Sequence, residues 1–410
     1  MEKKQNVPAL RFQGFSGKWS KRTLENMCDI FTDGDWIEAN DQSDTGIRLI
    51  QTGNIGIAEY IDKPEHKKWI SKETFDRLHC TAVLSGDILI SRLPDPAGRA
   101  CIIPELGMEM ITAVDCTIVR VAEEYSKEYL VQYLSTHKYF AEVKNCLAGG
   151  TRQRISRGNL SVFSIPVPTD KTEQDRIGKF FERLDDSINV KKRKIQKLQQ
   201  FRQAMLAKLF PREGAEEPEL RFRGFSGKWK CKILRELADF YSGGTPTVGI
   251  KEYYSGNIPF IRSAEIHSAK TALYISDEGL NCSSARMVKK GDILYALYGA
   301  TSGEVGRAKL TGAINQAILA ILPNKNCDAD FLTQWLHKSK INILSTYLQG
   351  GQGNLSGEII KNLRILLPTL EEQRKIGNFF RRLDDLISVQ QKKLERMQRL
   401  KAALLEKMFV

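Results

Sequence analysis

Two stretches of the chain place apolar residues at alternating intervals of three and four. In the first, Ile177, Phe181, Leu184, Ile188, Ile195, Leu198, Met205 and Leu209 make the stripe. In the second, Ile376, Phe380, Leu383, Ile387, Leu394, Met397, Leu404 and Met408 repeat it 199 residues later. Such a stripe is the seam of a coiled-coil helix. Lys191 and Gln390 interrupt it at matching points, as do Arg202 and Lys401. Phe201 and Leu400 beside the second break suggest that the stripe drifts there. Pro168 and Pro368 close the strand-like runs before the stripes, and Thr169 or Thr172, and Thr369, are the expected N-caps. Each helix is predicted to run about 38 residues, about 57 Å, a length that suits a spacer more than a compact domain.

Elsewhere the pattern changes to short apolar runs bounded by Gly, Pro and Asp, the mark of strands and turns. Segments at about 25–168 and 235–368 share an order of elements. A Gly-Asp turn enters a strand (Gly86-Asp87 to Arg92, Gly291-Asp292 to Leu297). An apolar strand follows (Ala113 to Val121, Ala313 to Leu322), then a short helix (Tyr129 to Leu134, Phe331 to Leu336). The inserts otherwise differ, the first opening Asp33-Gly34-Asp35-Trp36 and the second Ser242-Gly243-Gly244-Thr245-Pro246-Thr247. The flanking blocks do not differ. Leu10-Arg11-Phe12-Gln13-Gly14-Phe15-Ser16-Gly17-Lys18-Trp19 returns as Leu220-Arg221-Phe222-Arg223-Gly224-Phe225-Ser226-Gly227-Lys228-Trp229, and Glu173-Gln174 through Phe180-Phe181 to Leu184-Asp185-Asp186 returns as Glu372-Gln373 through Phe379-Phe380 to Leu383-Asp384-Asp385. The second helix ends where, on a closed circle, the first block would follow. Packing at the helix ends is the expected role of Trp19 and Trp229.

The net charge of +13 fits a nucleic-acid partner. Most of it lies on the helices: residues 171–210 carry 11 Lys and Arg against 5 Asp and Glu, and residues 371–410 carry 10 against 6. No apolar run approaches a membrane span and no signal peptide opens the chain, so a cytoplasmic protein without a membrane partner is expected. The eight cysteines form no Cys-x-x-Cys pair and read as buried thiols in a reducing compartment, and the five histidines suggest no metal site.

The two repeated blocks, the Gly-Asp-Ile-Leu turns, and Ser242-Gly243-Gly244-Thr245-Pro246 followed by Asn257-Ile258-Pro259-Phe260 together resemble the DNA-specificity subunit of type I restriction–modification enzymes. The likeness covers essentially the whole chain, and the order of its marks, twice over, is more specific than any one of them. It implies an α+β fold with a pseudo-twofold internal repeat: two globular mixed α/β target recognition domains, residues 1–170 and 218–369, held apart by two long antiparallel coiled-coil helices at 171–217 and 370–410. It also implies a non-catalytic subunit that reads a bipartite, asymmetric site in double-stranded DNA and directs methyltransferase subunits, expected as a pair, and restriction or motor subunits. The cofactors, S-adenosylmethionine, ATP and Mg, are expected on those partners and none on this chain. Duplicated binding units on a spacer suit a ligand with two sites at fixed separation without appeal to the family.

Base readout falls chiefly to Arg, Lys, Asn and Gln. Gly149-Gly150-Thr151-Arg152-Gln153-Arg154-Ile155-Ser156-Arg157 puts several on a Gly-hinged loop, which lets the backbone approach DNA closely. The competing reading is a helix start with solvated charges. The matching loop offers Gln349, Gln352 and Asn354 instead, consistent with a different half-site. Arg92, just past its Gly-Asp turn, matches Leu297 with Tyr298 beside it; a DNA contact and a plain surface position are both open. Thr245 and Thr247 suit phosphates or simple turn chemistry around Pro246. The run Lys191-Lys192-Arg193-Lys194 reads as a phosphate-following stripe, a solvated face or a partner surface. Two rival functions remain. A fused nuclease would draw on Asp95 with Glu142-Val143-Lys144, and a coiled-coil scaffold would bind DNA without selectivity.

Overall fold

Each apolar stripe becomes one continuous helix, Lys171–Lys208 and Leu370–Met408, in a computed structural model that describes residues 6–150, 153–348 and 354–410. The chain divides into two units, Met1–Lys192 with Lys392–Val410, and Arg193–Gln391. Each long helix therefore gives its first half to one unit and its second half to the other. Within the first unit Ile177, Phe181, Ile188 and Met408 are buried, and Leu184, Leu394, Met397 and Leu404 half-buried. Within the second, Ile195, Leu209, Ile376, Phe380, Leu383 and Ile387 are buried, and Leu198 and Met205 half-buried.

The expected drift at the second break does not occur. Phe201 and Leu400 are exposed, and the cations keep the seam position. Lys401 lies 2.6 Å from Asp185 on the antiparallel helix segment of its unit, and Asp185 also accepts from Gln132 at 2.8 Å. In the other unit Arg202 donates to Asp384 at 2.5 Å and to Gln334 at 2.7 Å. A long cationic side chain spans the gap between helices and ends on the first aspartate of the Leu-Asp-Asp block, so the stripe need not rotate. The caps also differ from expectation. Thr369 accepts from the Glu372 N–H at 3.4 Å as anticipated. The first helix is capped by Asp170, which takes the Thr172 N–H at 2.8 Å, because Asp170 and not Thr169 or Thr172 directly precedes the first helical residue.

The inserts share most of one topology. In the first unit a four-stranded sheet runs Cys28–Asp33, Cys116–Val121, Ile88–Ser91, Ala100–Ile102, and a second runs Gln42–Ser43, Lys68–Ile70, Ile47–Ile50, Met110–Thr112. The second unit repeats the first sheet with Ala238–Ser242, Ile318–Pro323, Ile293–Ala296, Val305–Arg307, and three strands of the second with Leu273–Ile275, Ile258–Ile261, Gly312–Ile314. Its fourth strand, Arg286–Val288, pairs with Gly312–Ile314, on the edge opposite to that taken by Gln42–Ser43 in the first unit. The apolar run from Ala113 to Val121 is thus not one strand. Met110–Thr112 lies parallel to Ile47–Ile50 in one sheet, and Cys116–Val121 lies in the other. A turn closed by the Cys116 N–H on the Ala113 carbonyl at 2.9 Å lets the chain change sheets. The run from Ala313 to Leu322 divides in the same way. The short helices also part company. Thr136 caps a fresh helix, His137–Asn145, after Lys127–Tyr133, whereas the counterpart continues as Ala329–Tyr347.

The repeated blocks close each unit. Arg11 donates both arms of its guanidinium to Glu173 at 2.6 and 2.7 Å and reaches the Gly17 carbonyl at 2.6 Å. Arg221 does the same to Glu372 at 2.8 and 2.8 Å and to Gly227 at 2.6 Å. Trp19 is buried against Tyr129 and Phe409, at ring-centroid distances of 5.9 and 6.5 Å. Trp229 is buried against Phe331 and Phe210, at 5.8 and 6.1 Å. The expected role of both tryptophans at the helix ends is what the packing shows. All eight cysteines are free. Burial pushes the thiols of Cys101 and Cys116 up to about 12, but Cys231 and Cys282 are exposed, against the expectation that all are interior. No helix among the described residues is long and apolar enough to cross a membrane.

Candidate nucleic-acid interface

Antiparallel pairing brings the candidate residues of each unit to one end of its first sheet. Asp33 pairs with Thr117 and Ser91 with Cys116, so two strands end where the strand between them begins. The segment after His137–Asn145 joins this end. Ile155 donates its N–H to the Arg92 carbonyl at 3.1 Å, and Ala148 and Arg154 exchange backbone hydrogen bonds at 3.0 and 2.9 Å. Gln153, Arg154 and Arg157 are exposed there. Arg157 opens the short helix Arg157–Ser161, capped by Ser156, and reaches toward the Thr32 hydroxyl at 3.5 Å. Thr151 and Arg152 lie outside the described residues.

Arg92 is neither a surface residue nor presented to a ligand. It is 9% exposed, donates to the Val114 carbonyl at 2.6 Å and pairs with Asp33 at 3.3 Å. Its guanidinium ties the strand end to the neighbouring strands. In the second unit Leu297 fills this place, buried, and accepts the Leu355 N–H at 3.0 Å. The next residues, Tyr298 and Asn354, pair as an isolated bridge, so two candidates read separately from the sequence are neighbours, both exposed. Thr245 is exposed and donates to Gln316, and Thr247 is exposed with its carbonyl on the Ile250 N–H at 3.2 Å. Gln349 and Gln352 lie outside the described residues.

Sequence reading missed Thr32, Gln316 and Trp36 at these ends. Gln316 sits in the turn that hides the change of sheet. Trp36 follows Gly34, and the signal for its loop is that glycine: a Cβ on Gly34 would run into the Thr112 carbonyl, and one on Gly243 into the Ile314 carbonyl. Both loops are held by this close approach. Asp35 anchors the first further, accepting the Thr81 N–H at 2.9 Å, while burial raises its carboxyl above the usual range. In the basic run, Lys192 pairs with Glu59 at 3.4 Å. Among the described residues no group of three His, Cys, Asp or Glu could share a metal ion. What the sheet ends offer is hydrogen-bonding chemistry: Arg and Gln in the first unit, Tyr, Asn, Thr and Gln in the second.

Comparison with known proteins gives this chemistry a setting. The MjaIX specificity subunit of a type I restriction enzyme of Methanocaldococcus jannaschii is 29% identical over 193 residues, and the match spans 44% of this chain and 44% of that relative. The putative MjaX specificity subunit of the same organism is 22% identical over 424 residues, covering 98% of this chain and 95% of the relative. The HindI specificity subunit of Haemophilus influenzae is 23% identical over 375 residues, covering 73% and 81%. The crystal structure of a type I restriction–modification S subunit from M. genitalium shares the fold, with a TM-score of 0.70 at 16% identity over 98% of this chain and 99% of that one. The family model described as the type I restriction modification DNA specificity domain matches residues 16–200 and again 226–399. Two consecutive matches, each holding the end of one framework block, one insert and most of one long helix with its Glu-Gln to Asp-Asp block, account for the internal repeat, and the chain belongs to the type I restriction–modification DNA specificity family.

Proposed function

We propose that the chain is the non-catalytic specificity subunit of a type I restriction–modification complex and that it reads a bipartite, asymmetric site in double-stranded DNA. Recognition domains at 1–170 and 218–369 each take one half-site, and the helices at 171–217 and 370–410 set the gap. Methyltransferase subunits carrying S-adenosylmethionine, two per chain, and ATP- and Mg-dependent restriction subunits supply the chemistry from a cytoplasmic complex. The observation that carries this reading is the contrast within the repeat. Arg11 with Glu173, Trp19 with Phe409 and Lys401 with Asp185 recur in kind in the second unit. At the sheet ends the exposed Arg154 of the first unit is replaced in the second by the exposed Asn354, each preceding the residue whose N–H bonds the strand end. A framework kept constant while its tips diverge serves recognition of two different sequences.

Sequencing the methylated sites in cells carrying this chain and its methyltransferase tests the proposal. A two-part asymmetric motif is expected. Replacing residues 149–157 with 349–357 should rewrite one half of that motif and leave the other intact. A change in both halves sinks the domain assignment, and unselective methylation favours a scaffold.

A further inference from the structure

The loops after the first strand of each unit's first sheet, Cys28–Asp33 and Ala238–Ser242, share a feature that hydrogen-bonding chemistry does not explain. Each is locked at its base by a glycine pressed against a carbonyl of the neighbouring sheet, Gly34 on Thr112 and Gly243 on Ile314. Each then holds a large apolar residue out in solvent, Trp36 at 69% exposure and Val248 at 77%. In the first loop the chain on either side of Trp36 is anchored. Asp35 donates its N–H to the Thr112 carbonyl at 2.9 Å and accepts the Val114 N–H at 2.9 Å, and Asp41 caps the turn by accepting the Glu38 N–H at 3.0 Å. The indole N–H is already engaged, donating to Glu38 at 3.2 Å, so what the ring offers outward is its apolar edge and face. Trp36 follows Asp33 by three residues, and Asp33 pairs with the Arg92 whose carbonyl holds Ile155 next to Arg154.

We propose that Trp36 is a specificity-determining residue of the first half-site, reading thymine through apolar contact with its 5-methyl group in the major groove, and that Val248 does the same in the second. This rests on the DNA-recognition reading above. Trp36, anchored on both sides, costs little ordering entropy on binding, and the thymine methyl is the one apolar mark that the base edges present in the major groove. A hydrogen-bonding tip alone distinguishes bases by donor and acceptor; an apolar one adds discrimination of thymine from cytosine.

The test uses the full chain assembled with its modification subunit. A selected duplex is obtained from a random pool, then remade with each thymine of the site replaced in turn by uracil, which removes only the methyl. At one position of the first half-site the wild type should lose about fourfold in affinity, the value of one buried methyl. Trp36→Ala should bind the thymine duplex more weakly and show no further loss with uracil there, and Trp36→Phe should restore part of the sensitivity. Val248→Ala should keep that sensitivity and lose one in the other half-site. The inference is overturned if Trp36→Ala selects the same bases with affinity within twofold, if uracil costs Trp36→Ala as much as the wild type at every position, or if the first half-site contains no thymine. Should the wild type enrich no sequence at all, the DNA-recognition reading fails instead.

Discussion

Arg11 and Arg221 carry the framework at the scale of single side chains. Glu173 and Glu372, at 1% and 0% exposure, have given up water for a two-pronged guanidinium. Removing one partner of such a buried pair leaves an uncompensated charge and costs about 3–5 kcal/mol. Arg11→Ala should therefore lower the denaturation midpoint of its half sharply, and Arg11→Lys should recover only part because a lysine cannot fork. Adding Glu173→Ala to Arg11→Ala should return much of the loss; additive losses would mean that the pair is not the cause. His337 gives a second test. Burial, chiefly, and the nearby Arg202 and His267 lower it from 6.5 to about 4, against the opposing pull of Asp384 and Glu304. The unfolded state thus binds the extra proton between these values. Stability linked to His337 is fully present above pH 6.5 and is lost as pH falls toward 4. Urea titrations across that window should show a slope that His337→Phe removes; an unchanged slope would refute the assignment. Neither feature could be read from the sequence. Arg11 and Glu173 are 162 residues apart, and the same text that hides this pair made Arg92 look available by hiding its contact with Asp33.

At the scale of elements, periodicity was the legible part. Alternating threes and fours predicted both long helices to within a residue or two, and the matching order of turns, strands and short helix predicted that both inserts share a fold. What periodicity could not supply was any contact between elements. It read Ala113 to Val121 as one strand because apolar residues continue through the turn, and it placed a drift at Arg202 and Lys401 because a cation on a seam looks like an interruption. The Ile-Gly step in each long helix is another such case. Glycine inside a helix costs about 1 kcal/mol relative to alanine, yet Gly178 and Gly377 recur at matching positions. A Cβ on Gly178 would stand 2.6 Å from the Tyr129 N and the Glu128 Cβ, and one on Gly377 would stand 2.8 Å from the Phe331 N. The long helix passes over the start of the insert's helix, Lys127–Tyr133 or Ala329–Tyr347, at backbone contact. Gly178→Ala should therefore destabilise by about 1–3 kcal/mol as the packed backbone is forced apart, despite the gain in helix propensity. Gly158, also helical but with nothing near its missing Cβ, provides the control. Gly158→Ala should be neutral or stabilise by up to about 1 kcal/mol. Thermal unfolding of the two variants decides it, and a stabilised Gly178→Ala would show that the helices are not held this closely.

The whole chain behaves as a two-part cycle opened at one point, and each unit records the same closure. Leu220 donates its N–H to the Lys208 carbonyl at 2.9 Å, joining the second framework block to the end of the first long helix. Leu10 donates to the Lys407 carbonyl at 2.8 Å, joining the first block to the end of the second helix. The first join is between neighbours along the chain and the second is between its two ends, yet the bond and the packing are alike: Phe210 lies against Trp229, and Phe409 against Trp19. Covalent continuity is therefore not what selects the partner of a framework block. A chain ending near residue 216 retains the first block, the first insert and the helix Lys171–Lys208 with Leu209 and Phe210 after it, but loses Phe409 as the cover for Trp19. A second copy supplies the missing part, with Phe210 in the place of Phe409 and Arg202 in the place of Lys401 facing Asp185. Guanidinium reaches the carboxylate in the second unit as the ammonium does in the first, so the exchange keeps the charge pair. The fragment should form a homodimer by light scattering, and with methyltransferase it should methylate an inverted repeat of the first half-site. An asymmetric site from the fragment, or a stable monomer, would show that the likeness of the two closures is one of sequence and not of interaction.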